Sequence, residues 1–444
     1  MSKKQGKRPK AKPSTDSNQG AKKGAKKGAR DASRSASADP LDAPRAEPLA
    51  DSDLPRCSIV VLNWNGKHHL DGCFNSLDEL DYPKDLREVI LVDNGSKDGS
   101  QAYVAKKHSW VRCIQNERNL GFSAGCNQGM RNADRPEVVV FLNNDLRVEP
   151  GFLRALVAPV VQGHCAASTG KMLHWDGSSI DSAGGGANFH GIGIQRGYRE
   201  SDSPVFNTPR KTLFACGGAM AMDAKIFDEV GGFDEDFFAY YEDVDLGWRT
   251  WLMGHEVHYT PEAVCYHHHS STSARVPVER LRKLQIRNPL LACFKNYDDE
   301  NLRRVLPAML ALASRRAFMH LGPLDRGEYR IEDLEDLAGR GWFSQLKTRW
   351  RNKRNRQTLD RVGVADLMAI DDFTGGWDHW MARRKSVQDR RQRPDSEILP
   401  LFQKPLWCIE GDPAYRALHE GLVDFLGLGD MFSGLESMRD EPRK

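Results

Sequence analysis

The feature that most constrains this chain is a series of short, β-branched apolar runs, each closed by an amide or a carboxylate. They read CSIVVLNW (57–64), EVILVDN (88–94), VRCIQN (111–116) and VVVFLN (138–143). Runs this short and this apolar fit strands buried on both faces, as in a parallel sheet. Helical periodicity near 99–107 and across 123–132 separates them. The alternation predicts βαβ units and an α/β domain. In open sheets of this kind ligands bind beyond the carboxyl ends of the strands. Asn63, Asp93 and Asp145 fall at or just past such ends. Taken singly, each is also ordinary turn chemistry, since Asn, Asp and Gly dominate turns.

Composition divides the rest of the 444 residues. Residues 1–55 are mostly Lys, Ala, Ser, Gly, Asp and Pro, too polar to offset chain entropy, and a disordered tail, basic in its first half, is expected. An ordered domain is expected over 56–275. Within it, 176–212 is Gly- and Ser-rich and reads as a long loop or lid. The core resumes at LFACGGAMAMD (213–223), a helix follows over 242–253, and short strands lie near 256–259 and 263–267. Residues 276–325 read as an amphipathic helical segment, packed on the domain or lying on an anionic membrane surface. The last part, 326–444, holds further helices and loops, with a basic run near 349–356. Nine dispersed cysteines without a CxxC pair point to a reducing compartment. No apolar run reaches the roughly 18 residues of a membrane span, and no apolar segment follows the basic N-terminus as in a secretory leader. A cytoplasmic protein, peripheral on the membrane at most, is expected. The net charge of +3 gives no argument for nucleic acid.

Five stretches carry chemistry. In VDNGSKDGS (92–100) the strand ends in Asp93, and Asn94-Gly95 turns the chain; a carboxylate there can accept the imide N–H of a uracil or thymine ring. NERNLGFSAGCNQGM (116–130) leads through Gly121 into a helix whose N-terminus suits phosphate or sugar oxygens, or whose small residues simply pack. NNDLRVEP puts Asp145 where it can hold Mg²⁺ or Mn²⁺ through hard oxygen ligands. In VGGFDEDFFAYYEDVDLGWRTWLMGHEV (230–257) carboxylates sit among aromatics, and partial desolvation makes a better base. The acidic residues there also fit the start of a helix near Glu242. TPEAVCYHHHSS (260–271) ends in three histidines; one imidazole can complete a divalent metal site, with His268 and His269 merely exposed.

In this order the motifs VVLNWNG, VDNGSKDGS, NLGFSAGCNQGM, FLNNDLRVEP, GGAMAMDAKIFDEVGGFDEDFFAYYEDVDLGWR and YHHHS closely resemble family 2 glycosyltransferases, and most of all their rhamnosyltransferase-like branch. The resemblance covers about 57–300. It implies a GT-A fold: a Rossmann-like, nucleotide-binding mixed sheet flanked by helices, here with a helical C-terminal region. It implies inverting transfer from a nucleotide-sugar donor, dTDP-rhamnose or a UDP-sugar, to a polysaccharide or lipid-linked glycan acceptor, with a divalent cation (Mn²⁺ or Mg²⁺). Asp243 resembles the catalytic base, Asp93 the nucleobase reader with Asn63 beside it, Asp145 the last acid of the metal motif and His267 its histidine. Asn143 departs from that motif's first acid. Asn94, Gly121, Asn127 and Asn144 join the donor side, and Glu242 and Asp245 the acceptor side. The alternatives are a sugar nucleotidyltransferase, against which Asn63-Trp64-Asn65-Gly66 stands where a basic phosphate loop would be, and a non-catalytic nucleotide- or carbohydrate-binding scaffold.

Overall fold

The computed structural model describes residues 39, 41–268, 276–321, 360–403, 412–432 and 435. All but the first belong to the compact unit Pro40–Lys444. The basic stretches at 3–30 and 349–356, and His269, lie outside the described residues.

The predicted strands form where the sequence places them: β1 (Cys57–Asn63), β2 (Arg87–Asp93), β3 (Arg112–Gln115) and β4 (Val138–Asn143), all joined in parallel. Between them run α1 (Leu70–Asp78), α2 (Ser100–Lys107) and α3 (Phe122–Arg131). Then follow β5 (Leu146–Val148), α4 (Phe152–Val161), β6 (Ala167–His174), β7 (Ile180–Ser182), β8 (Gly185–Ala187), β9 (Gly193–Gln195), β10 (Arg210–Lys211), β11 (Ala219–Asp223), α5 (Ala224–Val230), α6 (Glu242–Leu252) and β12 (Val257–His267). Among the described residues one ten-stranded sheet has the order β10-β12-β6-β11-β4-β1-β2-β3, with β5 on β12 and β7 on β6. Because β11 runs antiparallel to both β4 and β6, the sheet is mixed.

Alternate residues of the central strands serve opposite faces. Val60, Ile90, Val92, Val139 and Phe141 join one core, and Ile59, Val61, Leu91, Val140 and Leu142 the other. Both faces are covered, which is why the runs show no polar alternation. The two strands expected at 256–259 and 263–267 are one, β12, whose register on β6 shifts between Thr260 and Val264.

Two expectations are corrected. The segment 176–212 is no loose lid: residues 180–191 are all buried, and β8 pairs with β9 as a hairpin. Its glycines pack rather than flex; a side chain at Gly185 would run into the Phe214 ring. Residues 41–55, assigned to the disordered tail, lie on the domain. Leu54 is buried, the Glu47 backbone exchanges two hydrogen bonds with the Gln162 side chain, and Lys211 N donates to Leu41 O. Isolated apolar side chains hold this strap, a pattern composition does not register.

After β12 come α7 (Val278–Asn296), α8 (Asp299–His320), α9 (Arg361–Gly375), α10 (Trp377–Gln388) and α11 (Pro413–Phe425). Leu290, Leu291 and Phe294 of α7, Phe373 of α9 and Trp380 of α10 belong to the same hydrophobic core as Phe141 and Trp248. Each such side chain stabilises by about 1.5–3 kcal/mol when fully buried. The apolar side of α7 is therefore occupied by the protein itself and not offered to a membrane. Among the described residues no helix is long and apolar enough to cross one.

Candidate active site

Asn63 and Asp93 are partners in the β1–β2 register, so their side chains emerge at one level of the sheet edge. Both are fully buried. Asn63 Nδ2 donates to Asp93 Oδ2 at 2.7 Å, while Ser96 N (2.9 Å) and Gln101 Nε2 (2.6 Å) donate to Asp93 Oδ1. Three of the roughly four acceptor positions of this carboxylate are thus engaged by protein. Gln101 and Ser96 were not anticipated from sequence. Asn144 Nδ2 donates to Asn63 Oδ1 at 2.7 Å, which joins the end of β4 to the same cluster.

The rest of the expected donor side is arranged otherwise. Asn94 Nδ2 donates to Gly121 O (2.9 Å) and Asn94 Oδ1 accepts from Asn116 Nδ2 (3.0 Å), pinning the end of β2 to the start of α3. Gly121 has φ +91°, and the space a side chain would fill is taken by Phe238. The first amides of α3, Phe122 N and Ser123 N, donate to Phe238 O. That helix N-terminus is closed by a backbone carbonyl rather than open to phosphate. Asn127 is also turned away: its amide donates to Phe233 O (2.8 Å) and Glu235 Oε1 (3.1 Å), and its carbonyl accepts from Phe233 N. Its role is to fasten α3 to the 233–235 turn.

Asn144 and Asp145 form the turn between β4 and β5. Since β5 pairs with the end of β12, Leu146 opposite His267, Asp145 meets the histidine. Asp145 Oδ1 lies 3.3 Å from His267 Nε2, and His267 Nδ1 lies 2.7 Å from Asp181 Oδ2. Burial lowers the His267 pKa, but the two carboxylates outweigh it and raise it to about 9. Asp181 was missed because it sits in the Gly/Ser-rich segment and carries no periodic signal. His268, exposed as expected, stacks on Trp175 with ring centroids 3.7 Å apart.

The donor set at Asp145 fits a divalent cation in part. Neighbouring ligands about 2.1 Å from one octahedral ion sit roughly 3 Å apart, close to the Asp145–His267 separation. Among the described residues no group of three His, Cys, Asp or Glu side chains is disposed to hold a metal. An ion there would need substrate oxygens and water to complete its shell, the usual condition of Mg²⁺ beside phosphates.

Asp243 lies in the first turn of α6. Its Oδ2 accepts from Gly217 N at 3.1 Å and its Oδ1 from Val244 N at 2.9 Å. Gly217 and Gly218 lead into β11, and Gly218 O accepts from Asn143 N, so this acid faces the end of β4 across two glycines. Burial pushes the Cys216 thiol up, and the charges of Asp243 and Asp181 push it the same way. Burial raises the Asp243 carboxyl above the usual range, against the pull of the backbone amides. Glu242 is raised as well, by burial and then by the charge of Asp243, and the two acids titrate as a coupled pair.

Asp245 does not join this site. It is completely buried and accepts from Arg249 Nε (2.8 Å), Lys295 Nζ (2.9 Å) and Asn296 Nδ2 (3.0 Å). It anchors α6 to α7, and its carboxylate is engaged by these three partners.

Residues 58–231 match the glycosyl transferase family 2 description. The chain is 30% identical over 247 residues to an N-acetylglucosaminyl-diphospho-decaprenol L-rhamnosyltransferase of Mycobacterium tuberculosis, spanning 50% of this chain and 79% of that one. It is 23% identical over 343 residues to the validoxylamine A glucosyltransferase of Streptomyces hygroscopicus subsp. limoneus, spanning 71% and 68%. A solved structure of GalNAc-T7 with UDP, GalNAc and Mn²⁺ superposes with a TM-score of 0.47 at 17% identity, over 60% of this chain and 51% of that one. The nucleotidyltransferase and scaffold alternatives are set aside by the family match and the mycobacterial relative. The chain belongs to glycosyl transferase family 2, and it is a nucleotide-sugar glycosyltransferase of GT-A fold.

Proposed function

We propose that the enzyme moves a sugar, with inversion, from dTDP-rhamnose or a UDP-sugar to a polysaccharide or lipid-linked glycan, with Asp243 as the general base. The observation that carries this reading is the Asp243 carboxylate, held on Gly217 N across from the Asn143–Asp145 strand end. Its raised proton affinity suits it to take a hydroxyl proton. Inverting transfer forms no glycosyl-enzyme, so one base suffices.

The acceptor hydroxyl gives its proton to Asp243 as its oxygen attacks the anomeric carbon, and the bond to the nucleoside diphosphate breaks on the opposite side. Asn63, Ser96 and Gln101 engage three of the roughly four acceptor positions of the buried Asp93 carboxylate; an imide N–H of uracil or thymine would take the fourth, once the nucleotide displaces what covers it. Asp145 and His267, the latter after giving up its Nε2 proton, would hold Mn²⁺ or Mg²⁺, which when bound supplies Lewis-acid stabilisation to the leaving diphosphate. The preference for rhamnose and for a lipid-linked acceptor is supported by the name of the mycobacterial relative. Such an acceptor would bring the enzyme to the cytoplasmic face of a membrane.

The test is nucleoside diphosphate release from a panel of nucleotide sugars with Mn²⁺ and lipid-linked or glycan acceptors, for wild type and Asp243→Asn. A dTDP- or UDP-sugar should turn over in wild type alone. Equal turnover in both proteins rejects Asp243 as the base.

A further inference from the structure

The approach to Asp243 is a strained stretch of backbone. Phe238 has φ +63° and ψ −61°, and Ala239 N donates to Phe237 O at 2.7 Å. This is the rare γ-turn with positive φ, an unfavourable conformation for any residue with a side chain. Tyr240 and Tyr241 follow with φ of +69° and +66°. Helices usually begin from an extended residue, yet α6 is entered here from the left-handed Tyr241. Non-glycine residues persist in such conformations only where their surroundings over-determine them, and such strain gathers at functional sites.

What over-determines this loop comes from the C-terminal helices. Asn288 of α7 is fully buried, just ahead of the apolar run 289–294. Its Nδ2 has two hydrogens and lies against three carbonyls, Phe237 O (2.9 Å), Ala239 O (2.9 Å) and Tyr240 O (2.8 Å), so one N–H is shared between two of them. Its Oδ1 accepts from Arg287 Nε (3.1 Å) and Nη2 (3.0 Å), which fixes the orientation of the amide. Arg287 Nη2 also donates to Asp236 O at 2.6 Å. On its other side the loop caps α3 through Phe238 O. One side-chain amide thus holds the carbonyls on both sides of the γ-turn, within three residues of Asp243.

We propose that Asn288, oriented by Arg287, is a positioning residue for the transfer step, holding the 237–241 loop so that Tyr240, Tyr241 and Asp243 meet the acceptor. The inference rests on the assignment of Asp243 as base. It makes the helical region part of the working site rather than an appendage.

The experiment uses the full chain with Mn²⁺ and the nucleotide sugar that wild type turns over. Steady-state kinetics and binding of UDP and dTDP are measured for Asn288→Ala, Arg287→Ala and the double variant Asn288→Ala/Phe238→Gly. Asn288→Ala is expected to lower kcat at least tenfold and to leave the nucleotide Kd within twofold. Phe238→Gly is expected to restore at least threefold of that loss, because glycine adopts positive φ without a clamp. An unchanged kcat in Asn288→Ala overturns the proposal. So does a joint loss of kcat and nucleotide affinity with no recovery in the double variant, the behaviour of a residue that only supports the fold. If Asn288→Ala does not fold, Arg287→Ala decides: a kcat loss with intact Kd supports the clamp, and a wild-type kcat overturns it. A wild-type rate in Asp243→Asn overturns the base assignment whatever Asn288→Ala does, so the two failures separate.

Discussion

Asp243 Oδ2 and the Gly217 amide are joined by a hydrogen bond of 3.1 Å, which ties the first turn of α6 to the glycine pair that leads into β11. The amide stabilises the ionised carboxylate, while burial opposes it and prevails. A base raised in this way is protonated, and silent, at pH values where an ordinary aspartate still works. Transfer should therefore fall on the acid side through an apparent pKa above the usual aspartate range. Asp243→Asn should lower kcat by about 10²–10⁴-fold, the usual contribution of a positioned base, and remove that acid limb. The kcat–pH profile of both proteins is the check.

Asp145 and His267 invite a separate measurement that does not depend on turnover. Asp145→Ala should weaken UDP or dTDP binding in Mn²⁺ by about 10–100-fold, comparable to the cost of disturbing a metal site elsewhere. In EDTA the two proteins should bind alike. Calorimetric titration under both conditions reads this directly, and nucleotide affinity that ignores both metal and substitution rules out the role.

Asp245 belongs to a buried network, and its prediction concerns stability. Lys295 pairs with both Asp234 and Asp245, and all three are buried. Burial raises the Asp234 carboxyl, but Lys295 and Arg383 outweigh it and hold it well below its ordinary value. Lys295→Met leaves two buried carboxylates short of a cation and should cost about 3–5 kcal/mol of unfolding free energy. Urea unfolding measures it. Asp245→Asn should lower stability while the acceptor KM of the folded enzyme stays unchanged; a raised acceptor KM at full stability would return Asp245 to the acceptor side.

These residues also show what a sequence can disclose. The central strands were legible because Val60, Phe141 and their neighbours are apolar on both faces, a pattern that needs no knowledge of partners. Asp93, Asp145 and Asp243 were legible as acids at strand ends or helix starts. Asp245 has one cation within reach of the sequence, Arg249 at i+4, but its second, Lys295, lies fifty positions away and meets it only through the packing of α7 on α6, which is what buries it. Asn127 and the small residues of α3 looked suited to a phosphate, yet the Phe238 carbonyl fills that place through a loop more than a hundred residues later. Asp181 had no signal at all, because the Gly/Ser-rich stretch that carries it resembles a solvated loop until Phe214 and α7 bury it.

The last prediction concerns acid. His419 of α11 is buried against Phe189 and His190, its ring centroid 5.5 Å from that of His190. Burial lowers its pKa from the ordinary 6.5 to about 4. His190 is lowered well below 6.5 by burial, then by His419 and Arg316. The unfolded chain therefore binds protons that the folded chain refuses between pH 6.5 and about 4. The sign follows: stability is intact above pH 6.5 and declines as pH falls through that window. Each such group contributes a slope of up to about 1.4 kcal/mol per pH unit, or roughly 3 kcal/mol across the window for His419. His419→Phe removes one of the two titrations and should lessen the loss of unfolding free energy between pH 7.5 and 4.5 by up to roughly 3 kcal/mol. Urea unfolding at pH 7.5, 6, 5 and 4.5 tests it, and parallel curves for wild type and variant would show that α11 does not sense acid through this histidine.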